Sequence, residues 1–191
     1  MTVARLGGSA RFVGRVGDDP LGSLIIGDLA DEGVDTDGVE TVADVGSPVS
    51  AVLVTADGDR TIINHTDARL FDAPPDRLPA ADAYLADVRW PTGAEAAMAA
   101  ARDRGVAGVL DLDRTDGRLP ETAITTASHV VAAIDALGTE EPERALAELA
   151  DRTAAWVAVT VGADGVLWLE AGEIRRLTPP AVDVVDTLGA G

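Results

Sequence analysis

Short apolar runs alternate with segments whose apolar positions recur every three or four residues, a pattern that predicts an α/β chain. Arg11-Phe12-Val13-Gly14 reads as a strand. Pro20 then opens a helix with Leu21, Leu24, Ile25 and Leu29 on one face, and Gly33 closes it. Tyr84 to Val88, Val106 to Leu110, Val130 to Ala133 and Trp156 to Val161 are apolar runs of strand length. Between them an alanine-rich helix runs from a capping box at Thr92-Gly93-Ala94-Glu95 to about Gly105, and a second helix runs from Glu141 to Arg152. Strands alternating with helices imply parallel β-α-β units with right-handed crossovers.

One stretch breaks this rhythm. From about Val39 to Asn64 there is no helical period, only short β segments. Val49 to Val54 and Arg60 to Asn64 flank Asp57-Gly58, a strong hairpin signal. A hairpin inserted in an α/β chain must leave the main sheet, and it then serves either as a lid over a ligand or as a dimerisation arm. Leu167-Trp168-Leu169 and Ile174-Arg175-Arg176, around Gly172, predict a second hairpin. Ala73-Pro74-Pro75 reads as a linker.

Composition narrows the chemistry. At 191 residues the chain fits one domain with a substantial core. It has no cysteine, which excludes disulfides, thiolate metal sites and cysteine nucleophiles, and only His65 and His129 could offer imidazole to zinc. The net charge of −18 argues against a nucleic-acid partner, which would demand a basic footprint. Nothing reads as a membrane span, and a cytoplasmic location is the expectation. Every positive side chain is arginine. An anion site must therefore be assembled from arginine, backbone N–H groups or a metal.

Such a site is suggested at the end of the chain. Val184-Val185 leads into Asp186-Thr187-Leu188-Gly189-Ala190-Gly191, an apolar run followed by an acid, a hydroxyl and two glycines. Glycines admit close backbone approach, and successive N–H groups in such a turn form an anion nest.

Three segments together resemble one family. Leu6-Gly7-Gly8 with Phe12-Val13-Gly14-Arg15-Val16-Gly17-Asp18-Asp19-Pro20-Leu21-Gly22 is similar to the N-terminal signature region of the PfkB/ribokinase carbohydrate kinases. Thr160-Val161-Gly162-Ala163-Asp164-Gly165 resembles that family's T-x-G-x-x-G segment, and Asp186 to Gly191 its D-T-x-G-A-G-D signature without the final aspartate. The resemblance implies a three-layer α/β/α sandwich with a mostly parallel sheet and a small β lid, incomplete in this chain. It is read as one ribokinase-like domain over residues 1–191 with the lid at about 39–64.

It further implies transfer of the ATP γ-phosphoryl group, with Mg2+, onto a sugar hydroxyl. Gly189, Ala190 and Gly191 would form the anion hole. Thr160, Gly162, Gly165, Asp186 and Thr187 would line the nucleotide. The catalytic aspartate would follow Gly191, and the family's glycine-pair and asparagine substrate motif would precede Met1. The chain is thus expected to be a fragment, inactive as it stands. The family's N-x-x-E motif has no counterpart in His129 to Gly138, where Asp135 is the available acid.

Two segments point to a subgroup. Leu85 to Trp90 and Arg60 to Asn64 are similar to segments of the sulfofructose kinases, which transfers a sulfonate-binding role to Asn64 and Arg89. Arg89 has independent physical support. It follows a strand's carboxyl end, where open α/β sheets bind ligands, and its planar fork suits an anion. The competing reading is a pair with Asp87 or another carboxylate. Asp111-Leu112-Asp113-Arg114, at the end of a predicted strand, resembles the family's D-x-N-x-R element near the phosphates; its two carboxylates could help hold magnesium, or could merely cap the next segment.

Asp18-Asp19 is expected to cap the Pro20 helix, Trp156 and Trp168 to lie in the core, Arg175-Arg176 to be a solvated hairpin face, Asp164-Gly165 to be a turn, and His65 to be a surface residue. The leading reading is a carbohydrate kinase for a small-molecule sugar, favouring an anionic ketose such as sulfofructose. Fructose, fructose phosphate, ribose and 2-keto-3-deoxygluconate stay open. No nucleic acid or membrane partner is expected, and the lid could build a homodimer. The alternative is a catalytically dead sugar- or nucleotide-binding module. A dehydrogenase half is disfavoured, because no G-x-G-x-x-G opens a helix after an early strand.

Overall fold

The computed structural model describes residues 1–54, 60–113 and 119–181. Its backbone forms two units, Met1–Pro79 and Ala80–Gly191. In the first, one helical turn, α1 (Thr2–Arg5), precedes β1 (Ala10–Gly17), α2 (Pro20–Asp31) and β2 (Val34–Val42). β1 and β2 are parallel, with Gly14 opposite Val39 and Val16 opposite Thr41. Residues 39–42, which the sequence reading grouped with the lid, therefore run beside β1. Asp19 caps α2 as expected, accepting a hydrogen bond from Gly22 N with Pro20 at the first helical position.

The buried stripe of α2 differs from the expected one. Leu21 and Leu24 are exposed, while Gly22 is buried and Ile25, Ile26 and Leu29 are half-buried. These four positions follow the i, i+3, i+4, i+7 spacing of one helix face. Close approach decides the choice: a side chain at Gly22 would overlap the Gly17 carbonyl oxygen. The hairpin is present as read, with β3 (Val49–Val54) antiparallel to β4 (Arg60–His65) in a two-stranded sheet of their own.

The second unit carries a six-stranded sheet. Its elements are β5 (Ala83–Ala86), α3 (Pro91–Arg104), β6 (Ala107–Leu112), α4 (Glu121–Thr126), β7 (His129–Ala133), α5 (Pro142–Arg152), β8 (Trp156–Thr160), β9 (Val166–Glu170) and β10 (Glu173–Leu177). The spatial order is β10-β9-β8-β7-β6-β5. β5 to β8 are parallel, whereas β9 and β10 pair antiparallel, so the sheet is mixed. The parallel strands progress in one direction, and right-handed crossovers then put α3, α4 and α5 on one face.

Registered positions on that face are buried: Leu110, Val130 and Val157 in one row, Leu112, Ala132 and Val159 in the next. Gly108 shares the face, and a side chain there would press on Ala101 and Met98 of α3. Met98, Ile124, Leu146 and Leu149 complete this core. On the other face Leu85 is 74% exposed and Trp156 41%. Trp156 is therefore not a core residue, contrary to expectation. It stands at the start of β8 with its ring tilted against His129, centroids 5.9 Å apart.

Two further local expectations change. The N-cap of α3 is Trp90, with Pro91 at the first helical position, so Thr92-Gly93-Ala94-Glu95 lies inside the first turn and is not a capping box. Gly105 ends the helix in the left-handed region, φ +66°, as its position suggested. Arg175 and Arg176 do form a solvated face. Arg175 pairs with Glu173 at 3.1 Å and Arg176 with Glu143 on α5. Charge along β10 also discourages edge-to-edge pairing. Among the described residues, no helix is long and apolar enough to cross a membrane.

Candidate active site at the carboxyl edge of the sheet

Parallel strands present all their carboxyl ends on one edge, and in the second unit that edge gathers the polar chemistry. β5 runs into Asp87-Val88-Arg89, β6 into Asp113, β7 into a 3-10 turn holding Asp135, and β8 into Val161-Gly162. Asp87 Oδ1 accepts a hydrogen bond from Arg89 N at 2.9 Å, which turns the chain so that the guanidinium leaves the strand end. Arg89 Nη2 donates to Asp113 Oδ2 at 3.2 Å.

That pair spans β5 and β6 and is more than half exposed on both sides. Exposed pairs contribute about 0–1 kcal/mol, so an incoming anion could displace Asp113 at little cost. Both sequence readings of Arg89 are thus compatible with one geometry: a carboxylate holds it here, and weakly.

Asp111 lies two residues inside Asp113, opposite Val131 of β7. Its carboxyl is shifted above the ordinary value, first by loss of water among the neighbouring strands, then by the negative charges of Asp113 and Asp87. Arg89 acts in the opposite direction. Of these acids Asp87 was not proposed as a site residue from sequence, although its place at a strand's carboxyl end is the signal that would have found it.

At the far end of the edge, Thr160 closes β8 opposite Ala133 and Val166. The chain then turns through a 3-10 segment, Gly162–Asp164, and Val161 N returns to Gly165 O at 2.8 Å. The two motif glycines differ. Gly162 has φ +54°, and among the described residues, its chain neighbours aside, no heavy atom lies within 4 Å of where its side chain would sit. Gly165 has φ +95°, and a side chain there would overlap the Leu177 carbonyl and stand 3.0 Å from Pro179 Cδ. Gly162 is open to a ligand, whereas Gly165 is kept small by the crossing chain. Three strand spacings of ~4.8 Å separate β5 from β8, so Arg89 and Gly162 are ~14 Å apart along the edge. That length suits a sugar followed by a phosphate chain.

Asn64 belongs to the first unit. It is exposed on β4 and its Oδ1 accepts from Ser50 Oγ at 2.7 Å across the hairpin. His65 is exposed opposite Val49. Asp186, Thr187, Gly189, Ala190 and Gly191 lie outside the described residues. Among the described residues no three His, Asp or Glu side chains are grouped to cage a metal. Magnesium commonly takes one or two carboxylates and completes its shell with phosphate oxygens and water. Asp111 and Asp113 are carboxylates of the kind that could receive an ion in this way.

Sequence reasoning missed Ser47. It is buried in the first unit and bonded to Gly17 and Asp19, and no local pattern links positions so far apart.

Known proteins are similar to this chain in sequence and fold. The family model described as pfkB family carbohydrate kinase matches residues 1–191. The aminoimidazole riboside kinase of Salmonella typhimurium is 32% identical over 213 residues, covering 99% of this chain and 66% of that protein. A fructokinase of Klebsiella pneumoniae is 32% identical over 217 residues, covering 99% and 69%. A candidate ribokinase from Agrobacterium tumefaciens superposes with a TM-score of 0.89 at 33% identity, covering 97% of this chain and 64% of that one. Arabidopsis thaliana ribokinase, solved with ribose and ATP, gives a TM-score of 0.82 at 26% identity, covering 98% and 67%. The chain spans about two-thirds of the length of these relatives. The fold is ribokinase-like, and the chain belongs to the pfkB family of carbohydrate kinases.

Proposed function

We propose that this chain supplies the sugar and nucleotide faces of an ATP-dependent kinase that phosphorylates a sugar hydroxyl. The observation that carries the reading is the carboxyl edge of the β5–β8 sheet, with a loosely held arginine at one end and an open glycine turn at the other. Thr160 and Gly162 line the nucleotide, with Gly165 shaping the turn. Asp113 and Asp111 receive the magnesium-bearing phosphates. Asp186, Thr187 and the Gly189-Ala190-Gly191 backbone complete the anion hole. Bound ATP would supply the phosphoryl group, and the protein's share is orientation and stabilisation of charge on the moving group.

The substrate we favour is a ketose with a terminal anion, sulfofructose-like, held by Arg89 and by Asn64 on the hairpin. The hairpin covers the sugar. An isolated two-stranded hairpin is marginal in water, and Val52, Leu53, Val54, Ile62 and Ile63 leave apolar surface on both of its faces. We therefore also propose that it pairs with a second copy. A cytoplasmic location is part of the same proposal.

The test uses a full-length version of the kinase and compares it with its Arg89→Ala variant on sulfofructose, fructose, ribose and 2-keto-3-deoxygluconate, following ADP release. Loss of a charge-assisted contact worth about 1.5–3 kcal/mol should raise KM for sulfofructose about 10- to 150-fold and leave fructose nearly unchanged. Equal losses on both sugars would remove the anion-clamp assignment. Nucleotide binding without turnover on any sugar would support a catalytically dead binding module instead.

A further inference from the structure

Among the described residues Ser47 is the single polar residue buried in the core, 3% exposed, and its bonds are fully used. Gly17 N donates to Ser47 Oγ at 2.9 Å, Ser47 Oγ donates to Asp19 Oδ1 at 2.7 Å, and Ser47 N donates to Asp19 Oδ2 at 2.8 Å. The same Asp19 Oδ1 accepts from Gly22 N at 2.7 Å. The Asp19 carboxylate thus ties the first turn of α2 to Ser47, two residues before β3, and the Ser47 hydroxyl carries the link on to the end of β1. Its charge is held by these donors, Ser47 N foremost, which keep its carboxyl below the ordinary value.

Two glycines form the seat. A side chain at Gly17 would overlap the Val45 carbonyl oxygen and stand 2.7 Å from Ser47 N. One at Gly22 would overlap the Gly17 carbonyl oxygen and stand 2.9 Å from Ser47 Oγ. The Gly17-to-Gly22 run therefore serves as a bed for the chain leading into the hairpin. Pro48 follows Ser47 directly and stiffens the step into β3.

The return path is anchored separately. Asp67 caps the 3-10 turn Ala68–Leu70, Leu70 is fully buried, and its carbonyl accepts from Arg15 Nη1 at 3.4 Å. Between these two anchors, residues 49–54 are exposed throughout, as are 61–65.

We infer that Ser47 and Asp19 are positioning residues, a fixed post from which the β3–β4 hairpin is aimed. This rests on the reading of the hairpin as the cover of the sugar. The post holds the lead-in to β3 rigid. Neither side chain needs to touch substrate for this. A purely structural role would instead spread its effect over β1, β2 and α2.

The experiment is amide hydrogen exchange by mass spectrometry on the protein and on Ser47→Ala, Ser47→Thr and Asp19→Asn. Losing the hydroxyl breaks two hydrogen bonds, one to a charged acceptor. Exchange in peptides 49–54 and 60–65 should quicken about tenfold in Ser47→Ala, with β1 and α2 changing less than about threefold. Ser47→Thr restores the hydroxyl and should restore the wild-type rate, while Asp19→Asn should resemble Ser47→Ala. Uniform acceleration through residues 10–42, or no change in the hairpin, would overturn the inference. If Ser47→Ala does not fold, failure of Ser47→Thr to match the wild type in the hairpin peptides overturns it equally. A separate arm adds fructose and a non-hydrolysable ATP analogue to the wild type. Absence of hairpin protection there sinks the cover reading alone, and the ligand-free comparison still decides the post.

Discussion

Replacing Gly165 by alanine should unfold the second unit far more readily than the same change at Gly162, three residues away in the same motif. At Gly165 the backbone has φ +95° and ψ −137°, close to a region that only glycine occupies freely, which costs a side-chain-bearing residue about 1–3 kcal/mol. The added methyl group would also meet the Leu177 carbonyl carbon at 3.0 Å and overlap its oxygen, so β10 must shift. Overpacking of that kind costs about 1–3 kcal/mol more. The sum, about 2–6 kcal/mol, is a large part of the 5–15 kcal/mol that holds a typical domain. Gly162 has φ +54° and open space, so Gly162→Ala should cost only the left-handed backbone term of about 1–2 kcal/mol and instead weaken nucleotide binding. Urea unfolding followed by tryptophan fluorescence reads this directly, because Trp90, Trp156 and Trp168 all lie in the Ala80–Gly191 unit. With a slope of about 2 kcal/mol/M, the two midpoints should differ by about 1 M. Midpoints within about 0.3 M of each other would show that the crossing chain relaxes freely, and the packing account of Gly165 would be wrong.

In the first unit Arg15 is 10% exposed in its side chain and Glu40 26%, with Nε to Oε2 at 2.6 Å. Arg15→Met leaves that carboxylate without its cation, held only by the Asp76 N–H on Oε1, and should cost about 1–3 kcal/mol, read as faster amide exchange across β1 and β2; Arg15→Met at wild-type stability would show that Glu40 simply turns to solvent. In the second unit Asp111 titrates above its ordinary value when folded, so the folded state holds the proton more tightly than the unfolded chain does. Stability from this group is present below the ordinary carboxylate range and is lost as pH rises through the elevated value. Asp111→Asn should therefore raise the urea midpoint at pH 7 and change it little at pH 3, whereas a lower midpoint at pH 7 would mean that a partner holds the charged form.

The elements whose signal is carried by side chains could be read directly from the sequence. The alternation of strand-length runs and helical patterns located β5 to β8 within two residues, and the strands flanking Asp57-Gly58 emerged as β3 and β4, the turn itself lying outside the described residues. The errors share a cause. On α2, Leu21 and Leu24 outweigh glycine on any hydrophobic count, yet the helix faces β1 with Gly22 because backbone-to-backbone approach needs the absence of a side chain. On α3, Thr92 looks like a cap, but Pro91 sets its own φ and starts the helix a step earlier. Trp156 reads as core by its apolarity and stands at a strand's amino end, where the sheet offers little cover.

The site shows the same division. Arg89 and Asp113 could be placed from sequence because a strand's carboxyl end is a local property, but their ion pair could not, since it depends on β5 and β6 being neighbours. Ser47 was invisible because its partners come from the end of β1 and the cap of α2. Motif glycines look alike in a sequence and separate only by what faces them. Gly17, Gly22 and Gly165 face backbone of this same chain, while Gly162 meets nothing among the described residues. A resemblance built on glycine spacing therefore mixes positions that hold the fold with positions that admit a ligand. Of these four, Gly162 is the position at which the proposed nucleotide contact of the T-x-G-x-x-G pattern can be tested apart from packing, and the binding of Gly162→Ala against Gly165→Ala is where that proposal stands or fails.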